Sequence, residues 1–386
     1  MKSVVLFLLF LRLLCSEIPF EISTSQSALN LKQKRATKGK IFVDYYNSNK
    51  KLSEYSYSTF LPQKDTITIP LPKSSNIKIH ADTAIVTIMN IQYNLDSSIN
   101  MFGSGPGQFR EGTSIRSDSF NQIYIIDTAQ EAVIKFNEKL QFLNKFGSFN
   151  IDESRSFEND FANIEEAQFD GISDLLAGPR LTTFISDSRN QRVVEVDSSG
   201  NFVREFNPRD GFDEPTKLQT NSRHEILVLD SENERIVVFN NFGNQIFSLG
   251  GYGTGDFRFI KLLDFIVDSK DNLICLDQPE TGTVLKKFSR NGALLDKQMF
   301  QEKYELIASD YWDHLILVGG DKLKTLDSNF RTVESLFSNP EYLFQAESIT
   351  YMDNRKLYTL HNNPSMVKVF APQPTILQTK INLEND

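Results

Sequence analysis

Two segments of this 386-residue chain carry charged and amide side chains in the same order. The pattern D-S-x-N-x-R occupies residues 187–192 and again 230–235. One interpretation is local: the aspartate accepts backbone N–H bonds and holds a turn, and the asparagine and arginine complete the network. The other is that the arginines donate to a ligand carboxylate or phosphate, which suits a planar guanidinium. The candidate binding residues are therefore Asp187, Arg192, Asp230 and Arg235.

An acidic segment at about residues 148–170 contains seven acidic residues and a single base, Arg155. Long loops in compact domains are often functional. The segment could be a solvated loop, a docking arm for a partner or a weak calcium site, although it lacks the D-x-[DN]-x-[DN]-G spacing of calcium loops. The candidate residues in it are Asp152, Glu153, Glu165 and Glu166.

Glu111 and Glu214 occupy similar positions, each two residues after a phenylalanine. Carboxylates around the mouth of a channel can bind a metal, but the corresponding stretch 258–260 reads Arg-Phe-Ile and breaks such a ring. The chain has four histidines, two cysteines and none of the common hydrolase or phosphate-binding motifs. We therefore predict no cofactor and no catalysis. Cys275, in an apolar run, is expected to be a buried thiol.

The elements that carry these residues recur along the chain. A short apolar strand ends in a polar residue, often aspartate, and two further strands follow it after polar turns. The end points are residues 82, 127, 187, 230, 277, 319 and 361. They lie 42–47 residues apart, except for the 60 residues between 127 and 187 that include the acidic segment. This period, with four short strands in each unit, predicts an all-β fold, a β-propeller.

The tighter motifs give the repeat a family resemblance. The D-S-x-N-x-R segments, together with the glycine-rich linkers at residues 103–109 and 250–257, resemble NHL-repeat β-propellers. The resemblance covers roughly residues 65–386 and implies four-stranded blades, usually six of them, whereas the repeat count gives seven. We therefore expect six or seven blades. Some relatives bind RNA, but the net charge of −9 makes nucleic acid an unfavourable partner.

The first fifteen residues contain one lysine followed by a short apolar run that ends at Cys15. This pattern is typical of an export signal, and the run is too short to span a bilayer. Its end resembles a bacterial lipobox, so we predict lipidation of Cys15, with an unmodified cysteine beside an ordinary cleavage site as the alternative. Residues 16–40 are polar and predict a flexible tether, which leaves 41–386 for the propeller.

These observations predict a monomeric, non-catalytic binding or scaffold protein of the cell envelope, in the periplasm or on the outer surface. One face of the propeller would bind an envelope protein, a peptide or a glycan, and a lipid on Cys15 would provide the contact with a membrane. The alternative is a metal-dependent enzyme similar to propeller lactonases or lyases. Three or more converging ligand side chains at the channel mouth would favour the enzyme. A channel without them would favour binding.

Overall fold

The computed structural model describes residues 20–25, 28–33, 37–47, 50–61, 66–70, 83–147, 169–178, 181–198, 200–333 and 336–382, and side chains from Gln92 to Gln373 within these ranges. The chain forms two compact units. Residues 1–94, 331–338 and 372–386 form unit one, and residues 95–330 and 339–371 form unit two. The predicted signal at 1–15, with Cys15, lies outside the described residues, as do residues 148–168 of the acidic segment.

Unit one is built from the N-terminal strands. They are β1 (Phe20–Ser25), β2 (Ala28–Gln33), β3 (Thr37–Asn47), β4 (Lys50–Leu61), β5 (Thr66–Pro70) and the first part of β6 (Thr83–Asn100). Strands β1, β2 and β5 form one antiparallel sheet, and β3 pairs with both β4 and β6. The range 16–40, for which the composition predicts a tether, therefore includes β1, β2 and the start of β3.

Unit two contains the remaining strands. In chain order they are β7 (Gly112–Ser117), β8 (Ile123–Asp127), β9 (Ala132–Phe136), β10 (Phe142–Phe146), β11 (Ile172–Ala177), β12 (Thr183–Asp187), β13 (Arg192–Val196), β14 (Phe202–Phe206), β15 (Pro215–Thr220), β16 (Ile226–Asp230), β17 (Arg235–Phe239), β18 (Gln245–Gly250), β19 (Leu262–Val267), β20 (Leu273–Asp277), β21 (Thr283–Phe288), β22 (Leu294–Phe300), β23 (Leu306–Ser309), β24 (Leu315–Gly319), β25 (Lys322–Leu326), β26 (Ser348–Tyr351), β27 (Leu357–Asn362) and β28 (Ser365–Asn382). Strand β28 continues into unit one, and a 3-10 helix (Pro340–Leu343) precedes β26.

These strands form a six-bladed β-propeller, which confirms the predicted fold class. Blades one to four are the antiparallel sheets β7–β10, β11–β14, β15–β18 and β19–β22, and blade five contains β23–β25. Blade six combines β26, β27 and β28 with residues 95–100 of β6. Each innermost strand contacts the next, and β26 contacts β7, so the ring is closed.

The count of seven units is wrong, because it treats the two ends of the repeat array as separate blades. The N-terminal strand β6 lies beside β28 and supplies the outer strand of blade six. The backbone N–H of Met101 donates to the carbonyl of Ser365 at 3.0 Å, and Ser365 Oγ donates to the carbonyl of Arg110 at 2.8 Å. Residues 95–100, which precede blade one in the chain, thus complete the last C-terminal repeat.

The core lies between the blades, because each sheet is apolar on both faces. The second strand of blades one to five, β8, β12, β16, β20 and β24, is buried at every residue. Between blades one and two, Ile126 and Val133 pack with Leu175 and Ile185. Similar clusters join blades two to three, three to four, four to five and six to one. Burial of one such side chain stabilises the fold by about 1.5–3 kcal/mol.

A buried carboxylate at the end of the second strand ties each of the first four blades together. In blade three, Asp230 accepts the backbone N–H groups of Asp213 and Glu214, both at 3.0 Å. It also accepts Asn233 Nδ2 and Arg235 Nε, both at 2.9 Å. The carboxylate thereby connects the linker that enters the blade with the turn after its second strand.

The same position in the other blades shows how far the repeat extends. Asp127, Asp187 and Asp277 also accept backbone N–H groups of the preceding linker. Blade five has Gly319 there, and blade six has the buried His361. Burial, together with the charge of Lys368, lowers the pKa of His361 to about 4, which keeps the ring neutral.

We expect Asp230→Ala to lower the free energy of unfolding by about 3–5 kcal/mol, because buried donors lose their acceptor and Arg235 loses its buried partner. Asp210→Ala is the matched control, since Asp210 also binds Arg235, at 2.5 Å, but its side chain is 62% exposed. That substitution should cost less than about 1 kcal/mol. Urea denaturation followed by circular dichroism measures both free energies of unfolding. Equal losses in the two variants would contradict the structural role assigned to the Asp230 carboxylate.

Candidate functional site

A cavity of about 360 Å³ lies at one end of the axial channel of unit two. Its wall is formed by the last residues of the six innermost strands and by two of the turns that follow them. Leu176, Leu218 and Ile307 contribute apolar surface, whereas Arg116 and Tyr351 contribute polar groups. The volume is at the small end of the range of about 300–1,000 Å³ typical of ligand pockets.

Arg116 is held in the cavity wall by a buried carboxylate of the next blade. Its Nε and Nη2 donate to the two carboxylate oxygens of Asp174 at 3.0 and 2.6 Å. Asp174 also accepts Ser114 Oγ at 2.5 Å and the backbone N–H of Leu218 in blade three at 2.9 Å. Burial by itself would raise the pKa of Asp174, but the charges of Arg116 and Lys217 and these hydrogen bonds hold it below its usual value.

Asp264 occupies the equivalent position in blade four. Its carboxylate accepts the backbone N–H of Ile307 in blade five at 3.1 Å and that of Phe265 at 2.9 Å. Burial raises its pKa, and the charge of Lys217 opposes the shift. Lys217 lies on the blade between the two aspartates, and within the described part of the chain its ammonium makes no hydrogen bond or ion pair.

A β-bulge precedes each of the polar residues on the channel wall in blades one to four. The register of the first strand shifts immediately before Ser114, Asp174, Lys217 and Asp264. A bulge changes the direction of the following side chain. The same irregularity therefore places a polar residue at one level of the channel in four consecutive blades.

The turns after the innermost strands surround the cavity mouth and are bonded to one another. Ser222 donates its N–H and hydroxyl to Asp271 of the next blade at 2.8 and 2.6 Å. The N–H of Ser269 donates to Asp313 in the blade after that at 3.1 Å. Asp271 and Asp313 both have positive φ, which aspartate tolerates better than most residues. Serine and aspartate at fixed turn positions thus link blades three, four and five.

Blades five and six have an aromatic ring and a cation at the turn positions where the preceding blades have serine and aspartate. The guanidinium of Arg355 lies 5.0 Å from the ring centroid of Tyr311 and 6.0 Å from that of Trp312. Tyr351, at the cavity wall, is 39% exposed and Tyr311 is 46% exposed. Burial raises the pKa of Tyr351, and the charges of Asp313 and Asp353 add to the shift.

Several polar groups of the cavity have no hydrogen-bond partner among the described residues. They are the hydroxyls of Ser119, Ser309 and Tyr351 and the carboxylate of Asp353. Asp118, in contrast, accepts the N–H groups of Phe120 and Gln122 and the hydroxyl of Tyr124. The free groups give the cavity both donors and acceptors for a ligand.

The residues singled out by the sequence lie at the other end of the strands. Strand β16 begins at Ile226, after the turn at the cavity end, and finishes at Asp230. Arg235 is 14% exposed and bonds to both Asp230 and Asp210. Arg192 is equally covered and bonds to Asp187 and Glu205. The structure brings each arginine to its own aspartate and places none of the four in the cavity wall.

Glu111 and Glu214 also lie at the far end of the channel, just before β7 and β15. The carboxylate of Glu214 accepts Ser231 Oγ at 2.7 Å, and the N–H of Glu111 donates to Asp127. Among the described residues, no group of three or more histidine, cysteine, aspartate or glutamate side chains could hold a metal ion. Asp152, Glu153, Glu165 and Glu166 lie outside the described residues and stay predictions.

Sequence reasoning missed Arg116, Asp174, Tyr351 and Ser309. A signal was present: the first strand of a repeat is expected to be apolar, yet Ser114, Asp174, Lys217 and Asp264 interrupt it at equivalent positions. Cys275 is buried, as expected, and burial raises the pKa of its thiol. The described residues contain no helix long and apolar enough to cross a membrane.

The family described as a 6-bladed beta-propeller (DUF5128) matches residues 212–286, which cover blade three and most of blade four. The blade number agrees with the structure. The match spans less than a fifth of the chain, and the NHL label itself stays a prediction. The chain matches no curated protein.

Three solved structures are among those similar to this chain. Virginiamycin B lyase from Staphylococcus aureus is 12% identical, with a TM-score of 0.49 over 77% of this chain and 90% of that one. A gluconolactonase from Xanthomonas campestris is 10% identical, with a TM-score of 0.47 over 73% and 89%. A protein of unknown function from Bacteroides thetaiotaomicron is 10% identical, with a TM-score of 0.46 over 92% and 99%. Similarity at this level carries no argument about activity.

We expect Arg116→Ala to lower the free energy of unfolding at pH 7 by about 3–5 kcal/mol, because Asp174 stays buried without its cation. The folded pKa of Asp174 is depressed, so its contribution to stability is present above the unfolded value of about 4 and lost as the pH falls through the folded value. The difference between wild type and variant should therefore shrink at pH 3. Urea denaturation at both pH values measures it.

Arg189→Ala is the control for this experiment. It breaks an ion pair with Asp170 at 3.0 Å in which the side chains are 73% and 44% exposed. This loss should stay below about 1 kcal/mol at either pH. A loss in Arg116→Ala that does not depend on pH would contradict the assigned role of the buried pair.

Proposed function

We propose that this protein is a non-catalytic binding protein whose ligand enters the cavity at the turn end of the channel. The observation that carries the proposal is the set of unpartnered hydroxyls and the free Asp353 carboxylate around a concave, partly apolar wall. Concave sites with a few convergent polar groups are the usual form of ligand sites.

Three charges in the channel, those of Arg116, Asp174 and Asp264, are engaged in holding the innermost strands. Arg116 and Asp174 neutralise each other, and Asp174 and Asp264 accept backbone N–H groups of the following blades. Groups bonded in this way would lose those bonds if they changed partners during a reaction. This arrangement supports binding rather than chemistry at the channel centre.

The alternative, a metal-dependent lactonase- or lyase-like enzyme, needs several converging ligand side chains. Glu111 and Glu214, the residues considered for that role, lie just before the first strands of blades one and three. Within the part of the chain that the structure describes, no metal-binding group forms around them. The geometry therefore supports a binding protein better than this enzyme.

We also propose that the protein is exported to the cell envelope, with Cys15 as the lipid attachment site and an envelope protein, a peptide or a glycan as partner. The support is the N-terminal sequence alone. Mass spectrometry of the mature N-terminus, with and without globomycin, tests the attachment. A diacylglyceryl group on Cys15 is the expected result, and an unmodified N-terminus after residue 15 or 16 would reject it.

Blocking the cavity tests the binding function. Ser309 ends strand β23, lines the cavity and has a free hydroxyl. We expect Ser309→Trp to fill the space and abolish binding of ligands detected by saturation-transfer NMR with a mixed panel of sugars, amines, carboxylic acids and short peptides. Ser248→Trp is the control, because Ser248 is exposed on the outer strand β18. Both variants must keep the wild-type melting temperature. The proposal fails if Ser309→Trp then binds every panel member that Ser248→Trp binds.

A further inference from the structure

One aromatic ring at the cavity wall is open to a ligand. Tyr351 is 39% exposed, and within the described residues no cation lies over its ring. Its neighbour Tyr311 is covered by the guanidinium of Arg355 at 5.0 Å. An exposed aromatic face binds flat apolar surfaces, and the C–H face of a sugar ring is such a surface.

The polar groups around Tyr351 suit a ligand that both donates and accepts hydrogen bonds. The hydroxyls of Ser119 and Ser309 can do either, and Asp353 accepts only. Gln219 also lines the cavity, and it donates through Nε2 to the carbonyl of Phe265 at 3.4 Å. A hydroxyl-rich ligand can donate hydrogen bonds to Asp353 and both donate to and accept from the serine hydroxyls.

The charges of the cavity wall disfavour an anionic ligand, and the charge of Lys217 in the channel acts on the buried carboxylates of Asp174 and Asp264. Arg116 is neutralised by the bidentate contact with Asp174, so it offers little net positive potential. The two other charged side chains of the wall, Asp118 and Asp353, are both acidic. An acidic sugar or a phosphate would therefore meet like charges, which are costly when water is excluded.

A cationic ligand finds only one free counter-charge in this wall. Asp118 already accepts three hydrogen bonds, at 2.8–2.9 Å, which leaves Asp353 at the exposed rim. An extended peptide is disfavoured for a different reason. Recognition of a peptide by strand addition needs an accessible strand edge, whereas the cavity is bounded by strand ends and turns.

We infer that the cavity recognises a neutral carbohydrate, with one sugar ring packed on Tyr351 and its hydroxyls bonded to Ser119, Ser309, Gln219 and Asp353. The inference rests on the proposed function, because it names the ligand class of the same cavity. The side chains that would contact the sugar come from blades one, three, five and six.

Saturation-transfer NMR and calorimetry with defined probes test the ligand class. The neutral probes are cellotriose, maltotriose and chitotriose. The glucosamine trimer is their cationic counterpart, the galacturonic acid trimer the anionic one, and triglycine represents a peptide. We expect at least one neutral trimer to bind with a Kd below about 1 mM, and neither charged trimer nor triglycine to bind as tightly.

Variants of the wall test the assigned contacts. Tyr351→Ala should raise the Kd of the neutral trimer by about tenfold or more. Tyr351→Phe should raise the Kd by less, because phenylalanine keeps the ring. Tyr342→Ala is the matched control, since Tyr342 is 37% exposed but lies in the 3-10 helix, and it should change the Kd by less than about twofold. Asp353→Asn should weaken binding of the neutral trimer by about threefold or more, because a sugar hydroxyl loses its charge-assisted hydrogen bond to the carboxylate.

The outcomes separate this inference from the proposed function. One outcome is that Ser309→Trp abolishes the binding of amines, carboxylic acids or peptides and of no neutral sugar. In that case the inference is overturned and the binding function stands. The inference also falls if a neutral trimer binds equally well to Tyr351→Ala. If no probe of any class depends on Ser309, the proposed function falls with it.

Discussion

Each blade of this protein is a sheet with two apolar faces, and that constraint governs the rest of the structure. A sheet of this kind is stable only when a neighbour covers each face, so the blades must continue until the last meets the first. The requirement is met where β26 of blade six contacts β7 of blade one, and residues 95–100 complete blade six beside β28. Closing the ring then brings six innermost strands around one axis, which creates the channel and its cavity.

Buried carboxylates hold this ring at two levels. At one end of the strands, Asp230 and its equivalents bind the backbone of the linkers. Within the channel, Asp174 and Asp264 accept N–H groups of the next blade, which would otherwise lack a partner. Because unsatisfied buried donors are costly, these two carboxylates in the channel serve the fold. What remains for a ligand is the set of hydroxyls, the carboxylate of Asp353 and the exposed ring of Tyr351.

The D-S-x-N-x-R motif shows how a sequence pattern can be informative about structure and misleading about position. The motif drew attention to Arg192 and Arg235 because guanidinium groups recognise anions. In the structure each arginine donates to its own aspartate at 2.9 Å, and the cavity lies at the opposite end of the strands. Repetition in sequence here reflects a bond that blades two and three share, whereas the cavity on the axis is lined by different residues from each blade.

The sequence by itself determined the all-β fold, the repeat length and the turn networks, because those depend on residues close together along the chain. It did not determine the blade number, since an N-terminal strand pairs with a C-terminal one across more than 250 residues. Nor did it identify the cavity, whose wall joins Arg116, Gln219, Ser309 and Tyr351 from four blades. Only closure of the ring brings such distant side chains together, so only the tertiary structure could decide the site.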